Sequence, residues 1–284
     1  MFSDWIICIF SYNRAGLLQN LLQSIAQFYP EMKVAIFDDD SDDEATVALL
    51  SQLQKQGIEV HHKELSGSSK HGGLYTMMDQ AIGHAMSSSY KYAYFVQDDM
   101  QFLWRDEGLE KKVSSVFAKE ECLMCNSSFL QKIFIEGIEN RLPRLEEEDL
   151  YAFNGYGVAD TGIINLEKAR AVSLSFPMES EDGNGKYWHE KGWQMYWLPQ
   201  PHLAWVPWPS TYRYKKVEHR KLSSLLPLEK ESIAKLSKHK GYAYLEDYTA
   251  TTNWFLKPYW YADHPGKINL LKIYLKYYLR RIIK

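Results

Sequence analysis

Asp98 and Asp99 stand at the end of an apolar, aromatic run, Tyr94-Phe95-Val96-Gln97, that reads as a buried strand. Successive strand side chains point to opposite faces, but at a strand end both carboxylates reach one crevice by way of the turn. One can then grip a neutral polar ligand while the other holds a hard cation such as Mg2+ or Mn2+. The competing reading is a helix cap or a turn, which is what an isolated pair of acids usually means. Two further strand ends are polar. Trp5 to Phe10 runs into Ser11-Tyr12-Asn13-Arg14, and Lys33 to Phe37 runs into Asp38-Asp39-Asp40-Ser41-Asp42-Asp43-Glu44. Asp42, Asp43 and Glu44 suit a helix N-terminus. Asp38 and Asp39 sit where ligands bind in open α/β sheets. A later acidic stretch, Glu179-Ser180-Glu181-Asp182-Gly183, opens a helix expected to end near Gly192.

The elements that must position these residues alternate. After the first strand, Leu17, Leu18, Leu21, Leu22 and Ile25 recur at helical spacing, with Asn13 as the expected N-cap. After the second, Val47, Leu50 and Leu53 mark a helix that Gly57 stops. Ile58 to His61 is a short third strand. A loop from Leu65 to Gly73 carries Lys70 and His71, and Leu74, Met77, Met78, Ala81, Ile82 and Ala85 form the next helix face. Tyr92 to Gln97 is the fourth strand. This alternation predicts a parallel sheet covered on both faces, with right-handed connections and the polar strand ends gathered on one edge.

Beyond Asp99 the pattern changes. A helix is expected near Glu107 to Ala118, then strand-like runs at Glu121 to Cys125 and Lys132 to Glu136. The charge run Arg144 to Asp149 reads as solvated surface. Asn154-Gly155-Tyr156-Gly157 is a loop suited to close approach by a ligand. Thr161 to Asn165 reads as a strand leading into a helix from Leu166 to Val172. Trp193 to Tyr214 is crowded with aromatic residues and prolines, which fits either a sugar-binding belt or an aromatic core patch.

Composition sets bounds. The chain has 284 residues, 45% of them hydrophobic and 14% aromatic, enough for one large domain with an appendage. A net charge of −3 supplies no basic field for nucleic acid. Three cysteines make no disulfide framework, so a reducing cytoplasm is the default. Cys122 and Cys125 have no second pair to complete a zinc site and read as core. The run Trp5 to Phe10 is too short for the core of a secretory signal and lacks a basic leader. No stretch approaches the ~20 apolar residues of a membrane span.

In this order, the pieces resemble family 2 glycosyltransferases with the GT-A fold. Phe10-Ser11-Tyr12-Asn13-Arg14 is similar to that family's first loop, and Phe37-Asp38-Asp39-Asp40-Ser41 to its second-strand motif. The helix with Asp79-Gln80-Ala81-Ile82 resembles the one before the family's DxD-type motif, and Gln97-Asp98-Asp99 resembles that motif. Glu181-Asp182 resembles its late ED motif. The likeness covers roughly residues 5–210. It implies an α/β, Rossmann-like, mostly parallel sheet flanked by helices, with a helical C-terminal appendage. The catalytic domain would span 1–215, a nucleotide-binding half at 1–105 and an acceptor half at 106–215, with an extension at 216–284.

The resemblance further implies an inverting, metal-dependent transferase of the hexosyltransferase type, moving a sugar from a nucleotide-diphosphate donor, UDP favoured, to a hydroxyl of a glycan or lipid-linked acceptor. Asp99 would hold Mn2+ or Mg2+, and Asp98 would face ribose or phosphate. Asp39 would accept a hydrogen bond from the base, with Phe10, Ser11 and Tyr12 lining its pocket and Arg14 near it. Lys70 or His71 would add positive charge. Asp182 would be the general base, with Glu179 as competitor and a helix cap as the alternative reading. His202 falls about three residues early for the histidine ligand of related enzymes. The other readings are a nucleotidyltransferase, for which Ser11 to Arg14 lacks a phosphate-binding glycine, and a catalytically silent nucleotide-sugar-binding module. Finally, Lys267 to Lys284 holds six Lys or Arg beyond its apolar residues and no acid. It reads as an amphipathic anchor on an anionic membrane, at the inner face of the plasma membrane, or else as a helix packed on the catalytic domain or in a homodimer.

Overall fold

The computed structural model describes residues 2–63, 73–128, 144–145, 150–153, 160–198 and 201–205. The chain divides into two compact units, Met1–Trp205 and Val206–Lys284, and every described residue lies in the first. The expected C-terminal anchor, the loop with Lys70 and His71, the Asn154–Gly157 loop, the Lys132–Glu136 strand and much of the aromatic belt fall outside the described residues.

The elements are β1 (Trp5–Ser11), α1 (Ala15–Phe28), β2 (Lys33–Asp38), α2 (Glu44–Lys55), β3 (Glu59–His62), α3 (Leu74–Ser87), β4 (Tyr92–Gln97), β5 (Met100–Phe102), α4 (Leu109–Phe117), β6 (Cys122–Asn126), β7 (Arg144–Leu145), β8 (Leu150–Ala152), β9 (Gly162–Asn165), α5 (Leu166–Val172), α6 (Glu181–Glu190), β10 (Gln194–Trp197) and β11 (Leu203–Trp205). Nine strands form one sheet in the order β3-β2-β1-β4-β9-β6-β10-β8-β7. β3, β2, β1 and β4 run parallel. β9 is antiparallel to both β4 and β6. The sheet is therefore mixed, with its β3-β2-β1-β4 half parallel. β5 and β11 pair antiparallel in a separate two-stranded sheet that sequence periodicity does not reveal.

Alternation along β1 builds the two cores. Trp5, Ile7 and Ile9 join Tyr92, Tyr94 and Val96 on the face covered by α1, α2 and α4, against Leu18, Leu21, Leu50 and Val113. Ile6, Cys8 and Phe10 join Ala35, Phe37 and Phe95 on the other face, against Met77, Met78, Ala81 and Ile82 of α3 and Trp188 of α6. Burial on both faces is why these strands are continuously apolar. Cys122 and Cys125 are free and buried, as core residues.

Four local expectations are corrected. Val47 is 48% exposed, and Thr46 takes its place beside Leu50 and Leu53 on the buried face of α2. Asn13 does not cap α1, whose boundary residue Arg14 makes no side-chain cap bond. Arg144 and Leu145, expected in a solvated charge run, pair with Tyr151 and Leu150 as a short strand. Asp42 bonds Asn13 rather than serving only a helix N-terminus.

Candidate active site

The strand order reverses between β1 and β4: β2 and β3 follow β1 on one side, while β4 lies on the other. A crevice beyond the carboxyl ends of strands opens at such a switch point. Ser11 ends β1, and Asp98 and Asp99 follow β4, with Phe10 and Gln97 in register just before them.

Two loops at this edge are welded together. Asp38 is buried and closes its own turn, accepting from Ser41 Oγ at 2.6 Å and Ser41 N at 2.8 Å. Ser41 Oγ accepts the Asn13 N–H at 2.9 Å. Asn13 Oδ1 accepts the N–H groups of Asp42 and Asp43, both at 2.9 Å, and its Nδ2 donates to Asp42 Oδ1 at 2.7 Å. These bonds require a left-handed backbone, and Asn13 has φ +52°, a conformation asparagine tolerates better than most residues. Asp43 caps α2 by accepting from Thr46 N at 3.0 Å. Most of the acidic run is thus spent on turns and caps, leaving Asp39 for the site.

Asp39 accepts the Gly73 N–H at 3.2 Å through Oδ2, and its Oδ1 lies 3.0 Å from Lys63 Nζ. Lys63 was missed in the sequence; its place one residue beyond β3, at the same sheet edge, was the available signal. A Cβ on Gly73 would come within 2.0 Å of Asp39 Oδ1 and 2.4 Å of Lys63 Nζ. Those atoms end flexible side chains, so Gly73→Ala should cost less than about 1 kcal/mol of stability. On the base-binding role that the resemblance implies for Asp39, swinging it out of place should instead weaken nucleotide binding about ten-fold, the value of roughly one good hydrogen bond. Calorimetric titration beside thermal melting reads both quantities, and unchanged affinity would remove Asp39 from the base-binding role.

At the centre, Arg14 Nη1 donates to Asp98 Oδ1 at 3.0 Å and to Asp99 Oδ2 at 2.5 Å. Asp98 Oδ2 accepts the Tyr12 N–H at 3.1 Å. Burial alone would lower the Arg14 pKa, but Asp99 and then Asp98 outweigh it and hold it above the ordinary value. Two buried oxygens at these strand ends, Ser11 Oγ and Asp99 Oδ1, have no hydrogen-bond partner among the described residues. A buried carboxylate oxygen left open is a donor suited to a hard cation, so Asp99 fits the expected metal. Phe10 packs its ring against Phe37 and Phe95, with centroids 6.1 and 5.1 Å away, and supplies its carbonyl to Asp98 N–H at 3.0 Å.

The antiparallel register of β9 on β4 adds a residue that sequence reasoning missed. Phe95 faces Gly162, so Asp160 comes opposite Gln97, whose Nε2 donates to it. Gly162 has φ +141°, and a Cβ there would sit 2.8 Å from Met124 Cγ, so the turn into β9 needs glycine. Burial pushes the Asp160 carboxyl well above the ordinary range, Glu181 pushes it further by charge, and Asp99 adds to this. Asp160 and Glu181 are also hydrogen-bonded to each other. Tyr75 is held above its usual pKa by burial first, then by the charges of Asp160, Glu181 and Asp182.

Asp160 gives a stability prediction. Its folded pKa is raised, so the stability it contributes is full below the ordinary carboxylate pKa and is lost as pH climbs through the folded value. Asp160→Asn keeps an acceptor for Gln97, offers Glu181 a donor and cannot ionise. It should raise the melting temperature by a few degrees at about pH 8.5 and by less at about pH 5. A gain independent of pH would contradict this account.

Ser180, not Asp182, caps α6, accepting from Gly183 N at 3.1 Å. Asn184 is buried and braces the loop, donating to Met178 O at 2.8 Å and Ser180 O at 3.1 Å while accepting from Met178 N at 3.0 Å. Asp79 of α3 accepts the Phe176 N–H at 2.5 Å, fastening the segment before this loop. Asp182 is exposed in the first turn of the helix. His202 is fully buried, stacked on Phe102 at 5.7 Å and edge-on to Tyr94 at 6.1 Å, within the aromatic core. Among the described residues, no helix is long and apolar enough to cross a membrane.

Residues 6–111 match the family model described as Glycosyl transferase family 2. None of the curated proteins matches the chain. Among solved structures, TarS 1-349 of S. aureus is 16% identical with a TM-score of 0.47, over 70% of this chain and 59% of TarS 1-349. The chain therefore spans well under two thirds of that protein's length. The mannosyltransferase PcManGT from Pyrobaculum calidifontis, in complex with GDP-Man and Mn2+, is 12% identical with a TM-score of 0.51, over 90% of this chain and 72% of PcManGT. Likeness at such identity is a likeness of fold, and the shared arrangement is a mostly parallel sheet flanked by helices. Residues 6–111 thus carry the likeness to family 2 glycosyl transferases, and the chain shares the GT-A type of α/β fold with PcManGT.

Proposed function

We propose that this chain is a glycosyltransferase, inverting and metal-dependent, moving a sugar from a nucleotide-diphosphate donor to a hydroxyl on a glycan or lipid-linked acceptor. The observation that carries this reading is the strand-end cluster of Asp98, Asp99 and Arg14, buried at the switch point, with Asp99 Oδ1 left open. Asp39, tied to Gly73 N–H and Lys63, has its place on the base, and Asp98 its place on ribose or the nearer phosphate. Lys63 supplies positive charge beside Asp39, and Lys70 or His71 adds to it. Mn2+ or Mg2+, held by Asp99, would supply Lewis-acid stabilisation of charge on the leaving diphosphate. PcManGT, of the same fold, was solved in complex with GDP-Man and Mn2+, which supports a nucleotide-sugar donor and a divalent ion. UDP is preferred here through the family resemblance.

Asp182 is the general base in this scheme. An exposed carboxylate on a braced helix turn can meet an acceptor hydroxyl from solvent and take its proton during in-line attack. Glu181, bonded to Asp160, orients that turn in the same scheme. The acceptor half and the boundary near residue 215 belong to the same proposal, as does lipid anchoring by residues 267–284.

A thermal-shift panel of UDP, GDP, dTDP and CMP, with and without Mn2+, tests the reading, followed by turnover with the stabilising nucleotide's sugars. One diphosphate stabilising only with Mn2+, and turning over, is the expected result. Binding without turnover for any donor would favour the silent module, and no nucleotide-dependent shift would sink the proposal.

A further inference from the structure

Away from the strand-end crevice, Glu59 and His61 of β3 and His84 of α3 form a cluster whose ligand atoms all lie within 4.8 Å of one another. Glu59 and His61 are two residues apart on a strand and so share a face. That face meets α3, which brings His84 over them. Glu59 Oε2 is 3.2 Å from His84 Nε2 and 3.9 Å from His61 Nε2. Its other oxygen, Oε1, is 3.4 Å from Lys33 Nζ, which turns Oε2 toward the imidazoles. The His61 ring is stacked flat on Phe37, centroids 4.7 Å apart and 9° from parallel, and His84 meets the same ring edge-on at 6.0 Å. Both imidazoles are therefore fixed in plane by packing.

The atom that asks for an explanation is His61 Nε2. It is buried and has no hydrogen-bond partner among the described residues. Burial, and after it the neighbouring His84, lowers the His61 pKa and favours the neutral form that binds metal. Two imidazoles and one carboxylate form the His2Glu donor set of three-ligand zinc sites, where water completes the tetrahedron. Ligand atoms in such a tetrahedron are about 3.3 Å apart, so the cluster needs only a small contraction.

We propose that Glu59, His61 and His84 bind Zn2+ in a site separate from the strand-end carboxylates. The ion would clamp the edge strand β3 to α3. Both elements lead to the base-binding residue: the residue following β3 is Lys63, and the one preceding α3 is Gly73, and both hold Asp39. The site would thus steady the nucleotide half from behind without touching the donor.

The test uses full-length, chelator-stripped protein titrated with Zn2+ alone by calorimetry, in the wild type and in Asp99→Asn to silence the strand-end carboxylate. One equivalent should bind in Asp99→Asn and raise its melting temperature, and the wild type should bind that equivalent besides any ion taken up at Asp99. His61→Gln with His84→Gln should weaken that binding at least about ten-fold, and Glu59→Gln alone should weaken it as well. The single Glu59 variant keeps the test alive if the double variant does not fold by circular dichroism. Equal Zn2+ affinity in wild type and ligand variants, no Zn2+ bound by the wild type, or binding lost only in Asp99→Asn would each overturn the site.

Discussion

Asp182→Asn should lower sugar transfer by about 10²- to 10⁴-fold, the usual worth of a positioned general base, while donor affinity stays within about two-fold. The reason lies in where Asp182 sits. Ser180 already caps α6, so Asp182 is released from the capping duty that a sequence reading weighs against catalysis. It is exposed, so its loss leaves no buried group stranded and the fold should be untouched. Single-turnover kinetics with the stabilising donor, beside donor titration, separates the two quantities. Full turnover in Asp182→Asn with loss in Glu181→Gln would transfer the base role to the neighbouring residue. Loss of donor binding in Asp182→Asn would instead make it part of the nucleotide site.

Arg14→Ala should destabilise the fold strongly. It removes the guanidinium that both Asp98 and Asp99 share and leaves two carboxylates buried side by side without their counter-charge. Breaking a buried pair in this way costs about 3–5 kcal/mol. A cation at Asp99 would restore part of the missing charge, so Mn2+ should stabilise Arg14→Ala more than it stabilises the wild type. Neutralising Asp99 in the same chain, as Arg14→Ala with Asp99→Asn, should recover part of the loss, because the interaction is shared. Urea unfolding with and without Mn2+ measures all of these. Arg14→Ala as stable as wild type, or indifferent to Mn2+, would show that the three side chains do not form one charge cluster.

The stretch from β1 to β4 was the more legible part of the chain, for a physical reason. β1, β2 and β4 are buried on both faces, which writes them as unbroken apolar runs, and α1 and α3 bury one stripe each, which writes them at helical spacing. Parallel connection then forces Ser11, Asp38, Asp39, Asp98 and Asp99 to one edge before any side chain is placed. The strands after β4 have no such rule. Apolar pattern carries no direction, so β9 reads the same parallel or antiparallel, and only its reversal brings Asp160 opposite Gln97. β5 and β11 are three residues each, shorter than any period can register. Arg14 was placed near the base, but its grip on both aspartates depends on a loop geometry set by Asn13, whose left-handed backbone no spacing announces.

The bonds from Asn13 to Ser41, Asp42 and Asp43 join loops 28 to 30 residues apart in sequence. A loop edge of this kind does not wait for its ligand to acquire a shape. The conformational freedom that a floppy rim would surrender at each capture event is given up once, when the chain folds. Donor association should accordingly resemble docking into a rigid slot, with a small entropic penalty and little backbone rearrangement on that side. The amides of both loops should also open to solvent exchange together, as one cooperative patch.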